Sequence, residues 1–150
     1  MSNVTTVSKP LPDLPALVDA RAATLYVWAG RALTAIATLH IAFFVVDTND
    51  HWSEWATGEL WGAQATTRYE SLADFWALPG GFAAPLIVLG LLITRLARAG
   101  RAVPAYVGWT LTAWVVLCAL ILMPSGFLLG LIPAGMLLTA SWRNSRAVDA

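Results

Sequence analysis

The chain has 150 residues, 58% of them hydrophobic and only 12% charged, whereas soluble domains run at roughly half apolar and a quarter charged. One soluble domain of this length could not bury so much apolar surface, so lipid is the expected solvent for much of it. Nine basic and nine acidic residues cancel, which argues against a nucleic-acid-binding protein, and the lone Cys118 excludes an internal disulfide.

Residues 1–21 contain Pro10, Pro12 and Pro15 without a sustained helical period, and read as a mobile cytoplasmic tail with no secretory signal pattern. A first span is expected at 28–47, where about twenty residues at about 1.5 Å each cross a bilayer core of about 30 Å. Arg31 would snorkel back toward the headgroups on the N-terminal side. Gly30, Thr34 and Ala37 make a small-residue stripe that lets another helix approach closely.

The stretch from Asp47 to Trp76 holds six of the nine acids and four of the eight tryptophans. It reads as a structured, acidic, Trp-rich segment between spans one and two. A second span is expected at 72–96, started by the S-x-x-D pattern of Ser71 and Asp74 and broken or kinked at Pro79, Gly80 and Gly81 or at Pro85. Irregular backbone of that kind must face protein or a water-filled cavity. A third span, 104–123, opens on Pro104. After a turn at Pro124, Ser125 and Gly126, a fourth covers 126–142 with a bend at Pro133, leaving 143–150 as a cytoplasmic tail. Trp28, Trp76 and Trp142 fall near span ends, where indoles commonly sit.

Charge orients this four-span, all-α bundle. Lys9, Arg21 and Arg31, then Arg95, Arg98 and Arg101, then Arg143 and Arg146 mark one end, while the segment after span one carries Arg68 alone among acids. Both termini are therefore expected in the cytoplasm, with the acidic segment outside.

His40, at depth in the first span, is the leading polar candidate, and Asp47, seven residues on, falls on nearly the same helix face. A proton path, or a carboxylic acid at the bottom of a pocket, would use His40 with Asp47 or Glu59, the latter flanked by Gly58 and Gly62. The plainer reading has His40 hydrogen-bonding across to another span. Asp47, Asp50, His51 and Glu54 have helical spacing, but without a second nearby histidine or an H-E-x-x-H pattern no metal site is expected, and no motif calls for a cofactor. Trp52, Trp55, Trp61 and Trp76, with Phe44, His51 and Glu54, are the candidate ligand-binding set: tryptophans folded over the bundle mouth would wall a pocket for an apolar or cationic ligand. Lying flat in the outer leaflet is the plainer reading for the tryptophans.

The segments W-A-G-R, H-W-x-x-W, L-W-G, F-W-A-L-P-G-G-F, V-P-A-Y-V-G-W and P-S-G-F-L-L-G-L-I-P resemble an uncharacterised family of small four-helix bacterial membrane proteins, classed as a domain of unknown function, over residues 22–142. That resemblance implies a multi-pass protein of the bacterial plasma membrane and no particular reaction. Size and layout alone, with no shared motif, are also similar to small integral-membrane terpene cyclases, which protonate an alkene or epoxide with a carboxylic acid. The expected function is thus binding of a hydrophobic small molecule or a partner at the outer face, with an isoprenoid- or lipid-directed membrane enzyme as the alternative. The expected partners are the lipid bilayer and that small molecule, and a homo-oligomer is compatible with the sequence.

Overall fold

Alanine and glycine, more than leucine, line the interior. The computed structural model describes residues 18–62, 67–122 and 125–148, and among these the fold is entirely helical. Helix α1 (Ala20–Asp47) turns Ala22, Tyr26, Ala29, Leu33 and Ala37 inward at spacings of three and four, the period of one buried helix face. Short α2 (Trp52–Ala56) follows a 3-10 turn at Asn49–His51. Next come α3 (Tyr69–Ala77), α4 (Ala83–Arg98), α5 (Ala105–Ile121), a 3-10 stretch at Gly126–Gly130 and α6 (Leu131–Val148). Helix α1 packs against both α4 and α6, and α5 lies against α6 and the 3-10 stretch.

The α1–α4 crossing sets the closest approach. A Cβ on Gly30 would collide with Thr94 Oγ1 and come within 2.5 Å of the Gly90 carbonyl oxygen. Reciprocally, a Cβ on Gly90 would lie 2.5 Å from Thr34 Oγ1 and 2.6 Å from the Gly30 carbonyl oxygen. Thr34 and Thr94 donate back to those same carbonyls at 3.0 and 2.8 Å, so the hydroxyls that meet the facing glycine are already satisfied on their own helices. The pattern recurs at Thr112 with Gly108 and Thr139 with Gly135. The predicted stripe at Gly30 and Thr34 therefore serves a contact within the chain. Large apolar side chains face outward instead, among them Leu39, Phe43, Val88, Leu91, Leu117 and Leu120.

One end of the bundle is tied together. Asp19 Oδ2 caps α1 by accepting from Arg21 N and Ala22 N, each at 3.1 Å, and its own N–H donates to Asn144 Oδ1. The buried Tyr26 hydroxyl donates to the Val103 carbonyl at 3.3 Å and lies 3.1 Å from Ser141 Oγ. The Val18 N–H reaches the Gly100 carbonyl. These contacts gather the start of α1, the end of α4 and the end of α6, and with them the arginine clusters. Arg31 lies over Trp28 and Arg146 over Trp142, both side chains turned along exposed indoles.

Several boundaries differ from the sequence expectations. Because Asp19 caps it, α1 starts at Ala20, and the part of the N-terminal tail at 1–17 lies outside the described residues. The predicted second span is two helices. Its S-x-x-D start is not used: α3 begins at Tyr69, and Ser71 is buried within it, bonded to Trp55. The break falls where expected, at 78–82. The Gly80 N–H closes onto the Phe75 carbonyl, and a side chain at Gly81 would collide with the Trp76 carbonyl. Pro104 stands just before α5 as its N-cap. Pro133 falls in the first turn of α6, where a missing N–H costs nothing, so it makes no mid-helix bend. Helix α6 runs on through Arg143 and Arg146. Pro124, part of the expected turn, lies outside the described residues. Two helical stretches, Ala20–Asp47 and Gly126–Ala147, are long and apolar enough to cross a membrane, and Ala105–Ile121 is a shorter apolar helix.

The glycine contact makes a paired prediction. Gly90→Ala should destabilise the fold by about 1–3 kcal/mol, because both atoms it would strike belong to the packed α1 face. Gly135→Ala, where a Cβ meets nothing within 4 Å, should be neutral or stabilising by up to about 1 kcal/mol through helix propensity. Thermal unfolding of the two purified variants beside the parent decides it; equal losses would contradict the contact.

Candidate functional site

At the end of the bundle opposite the arginine clusters, the break between α3 and α4 meets α1. The Ala77 carbonyl, left without an intrahelical partner at the end of α3, lies 2.9 Å from His40 Nε2. A carbonyl only accepts, so Nε2 carries the hydrogen, and in the neutral imidazole Nδ1 is left with a lone pair. The ring sits between Phe44 and Phe82, with centroids at 4.6 and 4.7 Å. Phe82 also meets Phe127 and Trp114, each at 5.2 Å, and those two rings stand 5.5 Å apart.

This aromatic cluster borders a pocket of about 550 Å³ lined by Ile36, His40 and Phe44 from α1, Phe82 from the break, Ile121 and Leu122 at the end of α5, and Ser125, Gly126 and Phe127. A narrow extension runs inward past Leu33, Leu86, Leu111 and Trp114. Ser125 Oγ is buried and has no hydrogen-bond partner among the described residues. Among the described residues no carboxylate lines the pocket.

The acidic segment builds a second, polar site against α3. The Trp55 indole N–H donates to the Ser71 carbonyl and hydroxyl oxygens at 3.2 and 3.1 Å, with its ring edge-on to Phe75. His51 bridges Glu54, 3.4 Å from Nδ1, and Asp74, 3.5 Å from Nε2. Arg68 pairs with Glu54 at 3.6 Å and closely with Glu59. The Ser71 hydroxyl, donating to Glu54, is the main influence holding that carboxyl below the usual carboxylate range; desolvation opposes it, and His51 and Arg68 add to the lowering. A polar cleft of about 370 Å³ opens beside His51, Glu54, Arg68 and Ser71. Among the described residues no three His, Cys, Asp or Glu side chains converge as metal ligands.

Of the residues singled out from sequence, His40 and Phe44 line the aromatic pocket. His51 and Glu54 join the polar cluster, and Glu59 is held there by Arg68. Asp47 is exposed, and does not point into the bundle: α1 ends at this residue, and seven positions carry it about 10 Å along the axis from the imidazole. Helix α1 does not continue past Asp47, because Thr48 closes it by bonding the Phe44 carbonyl through both its N–H and its hydroxyl. None of the four candidate tryptophans lines the aromatic pocket. Trp52 donates to Thr48 Oγ1, Trp55 packs on α3, Trp76 is largely exposed beside Phe75, and Trp61 is 81% exposed. The pocket walls overlooked in the sequence are Ile36, Phe82, Phe127 and Ser125. Two signals pointed to the ring-bearing walls: Ile36, His40 and Phe44 recur every four residues, and both Phe82 and Phe127 directly follow a glycine.

Fold and site together define a small all-helical protein with an aromatic pocket at a helix break. The chain belongs to the family described as "Family of unknown function (DUF6463)", whose model matches residues 24–144. No curated protein and no solved structure matches it.

The shifted carboxyl gives a pH prediction. A group whose folded pKa is lowered stabilises the fold fully above its unfolded value and loses that contribution as pH falls through the folded value. Amide exchange across α2 and α3, corrected for intrinsic rates, should accelerate on acidification below the ordinary carboxylate range. Glu54→Gln should remove the Glu54 component of that acceleration; a parent and variant with identical acid profiles would count against it.

Proposed function

We propose that this is a four-span integral membrane protein that receives an apolar small molecule in the pocket beside His40. The observation carrying the ligand reading is the pocket itself: four aromatic or imidazole rings and aliphatic side chains around about 550 Å³, with only two polar side chains among the lining. Membrane residence is supported by the inverted packing, small residues inside and large apolar ones outside, since van der Waals contact between close helices holds a bundle together in lipid. It is also supported by the break, whose non-helical backbone packs against His40 and the aromatic cluster, as membrane depth demands.

In this reading the break splits the second span between α3 and α4, and α5 and α6 supply the third and fourth. The contacts that gather the arginine-bearing ends place the basic clusters together, away from the acidic segment. By the positive-inside rule the arginine end is cytoplasmic, at the plasma membrane, and the polar cluster and pocket mouth face outward. The binding reading is preferred to acid catalysis because Asp47 and Glu59 stand outside the pocket.

Orientation is tested with single cysteines in a Cys118→Ala background. Ser53→Cys should react with an impermeant thiol reagent in intact cells, and Ala99→Cys only after lysis; the reverse would overturn the topology. Occupancy is tested by filling the pocket. A Cβ on Gly126 meets nothing within 4 Å, so Gly126→Leu should fold yet weaken binding of a solvatochromic apolar dye by about tenfold, or about 1.4 kcal/mol. Unchanged dye affinity in a folded variant would locate binding elsewhere.

A further inference from the structure

The aromatic pocket does not end where its rings meet. Its narrow extension shares four walls with it, Ile36, Phe82, Gly126 and Phe127, so these residues form a neck between a wide chamber and a slender one. We propose that the occupant is a slender hydrocarbon chain that enters end-first, its last carbons lodged in the extension; this rests on the pocket being a ligand site at all.

The contrast in size carries the inference. The chamber measures about 550 Å³ and the extension about 30 Å³. A single water-sized sphere needs about 10–15 Å³ on that scale, so the extension admits a chain end of about two carbons and no ring. Beyond the neck its walls are Leu33, Leu86, Leu111, Trp114, Val115 and Gly130. Of these, Leu33, Leu111 and Val115 belong to the buried core, so the extension points into the interior of the bundle. None of the six side chains carries a charge or a hydroxyl, so the end that enters must be hydrocarbon, and any polar end stays in the chamber. An apolar space of this kind stays dry, and a chain end supplies the contacts its lining otherwise lacks. A fused-ring or cage hydrocarbon finds room in the chamber alone.

The test maps where each part of a bound molecule lies, by photo-crosslinking and peptide mass spectrometry. It uses the full-length protein in digitonin, a steroid-based detergent without a long alkyl chain. Dodecane carrying a diazirine at its last carbon should label the extension at Leu86, Leu111 or Trp114. The same diazirine at mid-chain should label the chamber at Phe44 or Leu122, and adamantyl diazirine should label the chamber only. Leu86→Phe, which narrows the extension, should cut the end label at Leu111 and Trp114 about tenfold, the size of a modest overpacking cost, while adamantyl labelling of the chamber survives. If that variant fails to fold, the comparison of probes on the parent protein carries the test alone.

A phosphatidylcholine with the diazirine at the end of one acyl chain separates the sources. Extension labelling by it as well as by dodecane supports the proposal with a bilayer lipid as the source; labelling by dodecane alone supports it with a free chain molecule. Three results overturn the chain inference and leave the apolar site standing: extension labelling by the adamantyl or mid-chain probe as strong as by the chain end, chamber labelling alone by the chain end, or an unchanged end label in folded Leu86→Phe. Absence of labelling in both spaces by every probe overturns the site as well.

Discussion

The Gly30–Gly90 contact is the constraint on which the rest of the structure depends. Two backbones can come this close only where neither carries a side chain, and the flanking Thr34 and Thr94 satisfy their hydroxyls on their own helices. Once α1 and α4 are held together, the chain leading into α4 must fold back across α1. That return brings Phe82 to His40 and leaves the Ala77 carbonyl within reach of the imidazole. The pocket is thus formed where the close packing below gives way to bulky aromatic residues above. Small residues make the contact, and large ones make the space.

The two histidines show how differently one side chain can be employed within a short distance along the chain. His40 has a carbonyl partner and aromatic neighbours, which put a hydrogen on Nε2 and hold the ring in place. His51 has carboxylates at both nitrogens and links α2 to α3. Ser71 completes the second arrangement: it takes a hydrogen bond from Trp55 and passes one to Glu54, so a single buried hydroxyl joins the indole packing to the ionic cluster. The acidic segment is therefore secured to α3 by directional polar contacts, in contrast with the shape-driven packing of α1 on α4.

Much of this was legible in the sequence wherever a feature was local. The break was readable because Pro79, Gly80 and Gly81 cannot continue a helix comfortably, and His40 stood out as a histidine within an apolar helical run. What a one-dimensional pattern could not give was the end of α1. The helical period put Asp47 on nearly the same face as His40, whereas Thr48 stops the helix and leaves Asp47 in the open. The tryptophans misled for a related reason: clustering along the chain suggested a shared surface, but each indole follows its own partner. Ser71 looked like a helix cap because its spacing to Asp74 is right, yet burial against Trp55, a residue sixteen positions earlier, decided its role. The phenylalanines that wall the pocket come from segments forty-five positions apart, Phe82 and Phe127, and only the tertiary fold joins them.

The placement of α1 at the centre also has a temporal side. It precedes the helices it packs against, so its glycine face has no counterpart until Gly90 has been made, sixty positions later, and its contacts with α6 come later still. During that interval the Gly30 groove is an unoccupied surface shaped for a close-packing helix. Assembly is therefore governed by long-range closure, of the kind that slows folding and exposes intermediates to wrong partners. The acidic segment, by contrast, can organise early, because His51, Trp55, Ser71 and Asp74 all lie within one short stretch of the nascent chain.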